Sequence, residues 1–295
     1  MKVIFNKKFL DHNIASRYEG RYRIDYFSGK YDDVEVNGEK YVPLVHSKGY
    51  MKYIKSACMN REKVADVQLT PETYEAAKAA VGLSVLAAVD SDFAVVRPPG
   101  HHAGKEKTSG FCIYNNLAIA AQYMAGKGKR VLLIDIDGHH GDGTQSIFYD
   151  SNKVFFTSIH QMHCFPFTGS PLETGIDKGR GYTVNIPITA GSGDKDFLRA
   201  LESIIRRVRD FRPQVVGVSA GFDGYYKDPL LELEYTLEAY YQCGYLLRRS
   251  FRNIFAVLEG GYHGDVPLCI ENFVKGINDG TPSKKIFWNP DMSIG

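Results

Sequence analysis

The chain reads as an α/β protein with a mainly parallel central sheet covered by helices on both faces. Three observations carry that reading. Five short apolar runs resemble buried strands, helical patterns lie between them, and the polar residues collect just past the ends of the runs. The runs are Phe93 to Val96, Val131 to Asp137, Val154 to Ile159, Val215 to Ser219 and Ile254 to Leu258. They are mostly β-branched or aromatic and bounded by Gly, Pro or charge, as strands buried on both faces are. Strands that alternate with helices need crossover connections, and these give a parallel sheet.

The elements follow in order. The stretch Glu19 to Lys40, rich in Tyr, Gly and charge, reads as loops and short strands at the surface. Thr70-Pro71 is a helix start, with Thr as the cap and Pro at the first helical position. The Ala-rich segment Tyr74 to Ala88 continues that helix. A second helix runs from about Asn115 to Ala125 and stops at Gly126. A third carries Leu198, Leu201, Ile204, Ile205 and Val208 on one face and ends before Pro213. A fourth covers about Thr236 to Arg249.

No repeat, low-complexity tract or linker divides the 295 residues, so one domain over 1–295 is expected. Net charge is +2, from 36 basic and 34 acidic residues, which gives no support to general nucleic-acid binding. No apolar run approaches the ~20 residues of a membrane span. Met1 to Phe5 runs straight into Lys7, Lys8 and Asp11, so no signal peptide is expected. The five cysteines are scattered and form no CxxC, which argues against a disulfide framework and for a reduced, cytoplasmic protein. Nothing in the sequence fixes an oligomeric state.

In such folds ligands bind beyond the carboxyl ends of the strands. Here those ends read Arg97-Pro98-Pro99-Gly100-His101-His102, Asp135-Ile136-Asp137-Gly138-His139-His140-Gly141-Asp142, Ser158-Ile159-His160, Ser219-Ala220-Gly221-Phe222-Asp223 and Glu259-Gly260-Gly261-Tyr262-His263. Asp135, Asp137 and His139 recur at every second residue, which in an extended strand puts them on one face. Three ionisable groups on one face of an apolar strand need compensation, and a bound cation supplies it. Asp137 and His139 can reach one divalent ion, with Asp223 as the third protein ligand. Two carboxylates, one imidazole and a water suit zinc or ferrous iron in an open site. The bland reading is a solvated loop with capping residues, and the four other segments weigh against it. The tandem His101-His102 follows a stiff Pro-Pro-Gly turn, so its rings are expected to diverge. Each ring needs an acceptor for its second nitrogen, and Asp135 and Asp142 are the candidates. Tyr262, exposed by Gly260-Gly261, is placed to donate to a developing oxyanion.

Together, RPPGHHA, GFCIYNN, DIDGHHGDGTQ, SIHQ, FPFTG, SAGFD, DPL and LEGGY resemble the histone deacetylase superfamily, over about Asp66 to His263. The forms RPPGHHA, SAGFD and LEGGY are closer to class II and to bacterial or archaeal deacetylases and the related acetylpolyamine amidohydrolases. The resemblance implies the single-domain arginase-like fold and a zinc-dependent amidohydrolase, with ferrous iron as the other candidate metal. It implies Asp137, His139 and Asp223 as metal ligands and His102, paired with Asp142, as general base and acid. His101, paired with Asp135, would be an electrostatic partner, and Tyr262 would polarise the amide carbonyl. Phe111 and Phe165, with Gly110 and Gly261, match the acyl-lysine tunnel, and Asp66 matches a rim carboxylate. Potassium is implied at Asp135, Asp137, His139 and Ser158, and at a second site near Phe148, Ser151, Val154 and Tyr182. The implied substrate is an acetyl-lysine peptide or a small acetylated amine such as an acetylpolyamine.

The chain departs from the family pattern in three places. Gly138 replaces a usual bulky residue, which is expected to loosen the ligand loop. Gly224 to Thr236 replaces a small, Gly-containing loop, and His12-Asn13 to Arg23 is a poor counterpart of the usual N-terminal signature. Two other functions were weighed. An arginase-like ureohydrolase wants an Asp-x-His-x-Asp run, whereas the order here is Asp-x-Asp-x-His. Against a catalytically idle, metal-containing acyl-binding protein stands the complete set of His101, His102, Asp135, Asp142, Asp223 and Tyr262.

Overall fold

The computed structural model describes residues 1–12 and 16–282. Asn13, in the expected N-terminal counterpart, and residues 283–295, the end of the expected domain, lie outside the described residues. The elements are β1 (Val3–Phe5), α1 (Lys48–Met59), β2 (Lys63–Val64), β3 (Val67–Gln68), α2 (Pro71–Asp90), β4 (Phe93–Val95), α3 (Asn116–Gly126) and β5 (Val131–Asp135). Then follow α4 (Asp142–Phe148), β6 (Val154–Gln161), β7 (Thr183–Ile188), α5 (Asp194–Arg207), β8 (Val215–Ala220), α6 (Leu237–Ser250), β9 (Ile254–Leu258) and α7 (Val266–Asp279).

Seven strands form one sheet in the order β1-β4-β9-β8-β5-β6-β7. Every pairing in it is parallel. All residues of β4, β5, β6, β8 and β9 are buried, which requires cover on both faces. The helices supply it in two groups, α2 packed with α3, and α5, α6 and α7 packed in a row.

The two further strands, β1 and β7, are the sheet edges. An edge strand needs no continuous apolar run. β1 is only partly buried, and β7 carries Asn185 and Pro187. The start of α2 is as expected, since Thr70 accepts from the Thr73 amide and Pro71 opens the helix. Asp194 and Asp196 in the first turn of α5, and Arg206 and Arg207 in its last, complement the helix dipole.

Two expectations need correction. The second run, Val131 to Asp137, stops being a strand at Asp135, because the chain turns at Ile136. The stretch Glu19 to Lys40 is not all surface. It holds short 3-10 turns, and Glu19, Arg23, Ile24 and Phe27 are fully buried. Glu19 and Arg23 mislead because they pair with each other inside the protein.

β5 lies between β6 and β8, with Asp135 opposite Ser158 on one side and Ser219 on the other. The chain leaves β5 for β6 and β7, then returns to β8 on the other side of β5. This is a topological switch point, where a crevice opens beyond the strand ends. Asp137 follows β5 and Asp223 follows β8.

Candidate active site

Past β5, side chains fold the backbone into successive turns. The Asp137 amide donates to Asp135 Oδ1 (3.1 Å), and the His139 amide to Asp137 Oδ1 (2.9 Å). These Asx turns, rather than a pleated strand, bring Asp137 and His139 to one point. The spacing pointed to residues that do converge, but through turns rather than the pleat of an extended strand.

Asp137, His139 and Asp223 are buried, and one ligand atom from each lies within 4.8 Å of the others. His139 Nδ1 stands 2.6 Å from Asp223 Oδ2 and 3.3 Å from Asp137 Oδ1. The remaining oxygens are held from behind by the Gly138 amide on Asp223 Oδ1 (2.6 Å) and the Gly260 amide on Asp137 Oδ2 (2.8 Å). A methyl group at Gly221 would sit 2.0 Å from Asp137 Oδ2, so the backbone must come this close. Burial, reinforced by Asp137, pushes Asp223 up to about 8, and burial lifts Asp135 to about 6. Carboxylates this dry and crowded call for a cation, and two carboxylates with one imidazole suit a divalent ion. The donor set therefore fits the metal expected from the sequence.

The two adjacent histidines do not diverge. Their ring centroids are 3.9 Å apart at 45°. They differ in what they face. His101 Nδ1 meets Asp135 Oδ2 at 3.1 Å, and its Nε2 lies 3.7 Å from Asp137 Oδ2. Burial opposes a charge on His101, but Asp137 and Asp135 outweigh it and raise the ring to about 10. His102 Nδ1 meets Asp142 Oδ1 at 2.7 Å. Burial and the neighbouring cationic His101 lower His102 to about 3. One ring is a fixed cation and the other a neutral base with Nε2 free of protein partners.

Tyr262 is buried rather than exposed. Its ring lies 5.8 Å from Phe111, and the Arg23 guanidinium sits 5.1 Å from its centroid. Burial, with Asp137 nearby, keeps its hydroxyl protonated far above the ordinary range. Its backbone is tied down by residues that sequence reasoning missed. The Tyr262 amide donates to Asp228 Oδ2 (2.7 Å), and Arg23 donates to the carbonyls of Gly261 and Glu259. Glu19 joins Arg23 to Arg97, which opens the segment bearing the tandem histidines. The Glu259 carboxylate accepts from the amides of Gly100 and His101. His101, Cys112 and Glu259 form a second close group, but each already has a protein hydrogen-bond partner. Signals were available in DPL, which holds Asp228, in RPPGHHA, which opens with Arg97, and in LEGGY, whose Glu259 stands at a strand end; none marked Glu19 or Arg23.

Phe165 lies edge-on to His102 at 5.0 Å and to His139 at 6.3 Å. Phe111 stands instead against Tyr262, so the two phenylalanines meet different members of the cluster. Gly110, next to Phe111 in the chain, packs against both His102 and Phe165, since a methyl there would lie 2.4 Å from the His102 ring and 3.1 Å from the Phe165 ring. Gly261, at φ +107°, precedes Tyr262. Asp66 is exposed and accepts from the Phe111 amide (3.1 Å), which puts a carboxylate beside that residue. Ser158 is turned to His160, with Oγ 2.9 Å from Nδ1. Phe148, Ser151 and Val154 are brought together at one turn, where the Phe148 carbonyl accepts from Ser151 and Ser151 Oγ from Val154. Tyr182 lies beside them, its ring 5.6 Å from Phe155.

Gly138 does not loosen its loop. A methyl there would lie 2.3 Å from Leu231 Cδ1 and 3.1 Å from Asp223 Oδ1. Leu231 and Leu233, from the atypical loop, are buried over it. The two departures are one: the bulk missing at position 138 is supplied from position 231.

The histone deacetylase domain profile matches residues 21–277. A probable deacetylase of Archaeoglobus fulgidus is 33% identical over 92% of this chain and 83% of its own length. An acetylpolyamine amidohydrolase of Mycoplana ramosa is 36% identical over 72% of this chain and 66% of its own. The crystal structure of the HDA15 HD domain superposes with a TM-score of 0.86 at 29% identity, covering 95% of this chain and 91% of that one. Among the described residues no helix is long and apolar enough to cross a membrane.

Proposed function

The chain belongs to the histone deacetylase family, and on that premise we propose that it is a metal-dependent amidohydrolase that removes the acetyl group from an acetylated amine. The observation that carries this reading is the pair of adjacent histidines, each held at Nδ1 by its own carboxylate, beside the buried Asp137, His139 and Asp223.

Asp137, His139 and Asp223 would hold the ion, zinc or ferrous iron. Such an ion supplies Lewis-acid chemistry, acidifying a water molecule and polarising a carbonyl oxygen. His102 takes the attacking water's proton at Nε2, since Asp142 engages Nδ1. It then returns that proton to the nitrogen of the breaking C–N bond, so amine and acetate are released. His101 stays cationic and stabilises the negative charge that develops nearby. The Tyr262 hydroxyl donates to the carbonyl oxygen as that charge grows. Phe111 and Phe165 would flank the alkyl stem and exclude water. Asp66 would accept from the substrate at the rim. Potassium would sit beside Asp135, Asp137, His139 and Ser158, and near Phe148, Ser151, Val154 and Tyr182.

The substrate would be an acetyl-lysine peptide or a small acetylated amine. All five cysteines are free, which suits the reducing cytoplasm. Acetate release from acetyl-lysine peptides and acetylated polyamines tests the reading, with zinc- and iron-loaded enzyme and Tyr262→Phe as control. Metal-dependent turnover that collapses in the variant supports it. No turnover on any substrate with metal bound overturns it.

A further inference from the structure

Gln145 follows Asp142 by three residues on α4, so their side chains leave neighbouring positions on the helix. Asp142 holds His102. Gln145 reaches instead to the segment that follows Phe165. Its Nε2 donates to Glu173 Oε2 (2.5 Å), and its Oε1 accepts from Asn185 Nδ2 (2.8 Å). These two partners fix the amide orientation. His140 Nε2, 3.0 Å from the same Oε1, must then carry the hydrogen, which leaves Nδ1 to accept from the Thr168 hydroxyl at 2.7 Å. Glu173 Oε1 accepts from the Ser170 amide (3.1 Å), and the Ser170 carbonyl accepts from Asn185 Nδ2 (3.3 Å). The segment 168–173 is thus fastened to α4 and β7 by side chains that converge on Gln145. It continues directly from Phe165, whose ring rests against His102.

We propose that Gln145 is a positioning residue for the substrate-binding wall. Through Glu173 and His140 it fixes the segment that carries Phe165, so α4 ties the spacing of that wall to the orientation of His102. The inference rests on the proposed function only for its kinetic consequence.

An exchange of the two partners tests it. Gln145→Glu puts two carboxylates face to face. Adding Glu173→Gln restores the bond with donor and acceptor exchanged, while position 145 still accepts from Asn185 and His140. A charge-assisted bond of this kind carries about tenfold in an equilibrium. Gln145→Glu is therefore expected to raise KM for an acetyl-lysine peptide about tenfold, with kcat within about threefold. Hydrogen exchange at the amides of 167–175 should quicken by a similar factor, with bound metal unchanged. The double variant should return both readouts to within about threefold of wild type. Should Gln145→Glu fail to fold, Glu173→Gln alone, at a half-buried site, is expected to give the same pattern more weakly. Unchanged KM and exchange in the single variants overturn the proposal, as does a swap that recovers neither, or a loss of kcat in step with melting temperature. If the wild-type enzyme turns over no acetylated amine, the functional reading fails, and the exchange measurement still decides the role of Gln145.

Discussion

The rings of His101 and His102 stand 3.9 Å apart, yet one is held as a cation and the other as a neutral base. Contact itself enforces the difference, because a second positive charge at that distance in a dry site is excluded. Asp135 and Asp137 fix which ring is charged, and Asp142 fixes which nitrogen of the neutral ring is free.

Asp142→Asn should therefore act on proton transfer. It removes the charge that supports protonation of His102 and permits the wrong tautomer. Steady-state kinetics should show kcat lower by about 10²- to 10³-fold, with KM within about threefold. Metal analysis should find the ion retained, since Asp142 is outside the ligand group.

Glu19 is fully buried between Arg97 and Arg23. Glu19→Gln leaves two guanidinium groups inside the protein without their counter-charge. Urea denaturation should report a loss of about 3–5 kcal/mol, the cost of breaking a buried ion pair from one side.

Gly138 and Leu231 share one space. Gly138→Ala alone should cost about 1–3 kcal/mol through overpacking. Leu231→Ala alone should cost about 2–5 kcal/mol by opening a cavity. The double variant should lose clearly less than the sum, because each change relieves the other. Strict additivity in chemical denaturation would contradict the contact.

His46 is a buried base. Its Nε2 accepts from the Asn115 amide (2.9 Å), and its Nδ1 donates to the Lys105 carbonyl (3.0 Å), so a second proton has no place. Burial lowers it to about 4 from 6.5. The unfolded chain takes up a proton here below about 6.5 and the folded chain only below about 4, so stability falls as pH drops through that window. The contribution is about 3 kcal/mol, fully present above pH 6.5 and lost by pH 4. His12, lowered to about 4 by burial, acts in the same direction. His46→Gln should flatten the slope of unfolding free energy against pH between 4 and 6.5 by up to one proton.

The central strands were legible because β9 is apolar from end to end, β5 is apolar up to its last residue, Asp135, and β8 is interrupted only by Gly217 and Ser219. Asp137, His139 and Asp223 were legible because their side chains are out of keeping with the strands they follow. What escaped was whatever depends on distant partners. Nothing near Glu19 announces Arg97, 78 residues away, and Glu259 reaches Gly100 across 159 residues. Asp228 was visible only as part of the DPL motif, and its carboxylate turns inward to the Tyr262 amide, 34 residues on. α7 escaped because its start lacks a capping side chain, with Asp265 making no cap bond. The pairing of Gly138 with Leu231 could be seen only as two separate oddities.

His139 and Asp223 meet across 84 residues of chain, from two strands that pair only in the finished sheet. No short stretch of the unfolded polypeptide brings these ligands together. An ion held at this point would thus be a ligand of the native state almost alone, and mass action would make it a stabiliser as well as the reagent proposed above. Each tenfold rise in free ion beyond its dissociation constant deepens the native well by about 1.4 kcal/mol. The ion supply of a cell would then govern how long the protein persists as well as how fast it works.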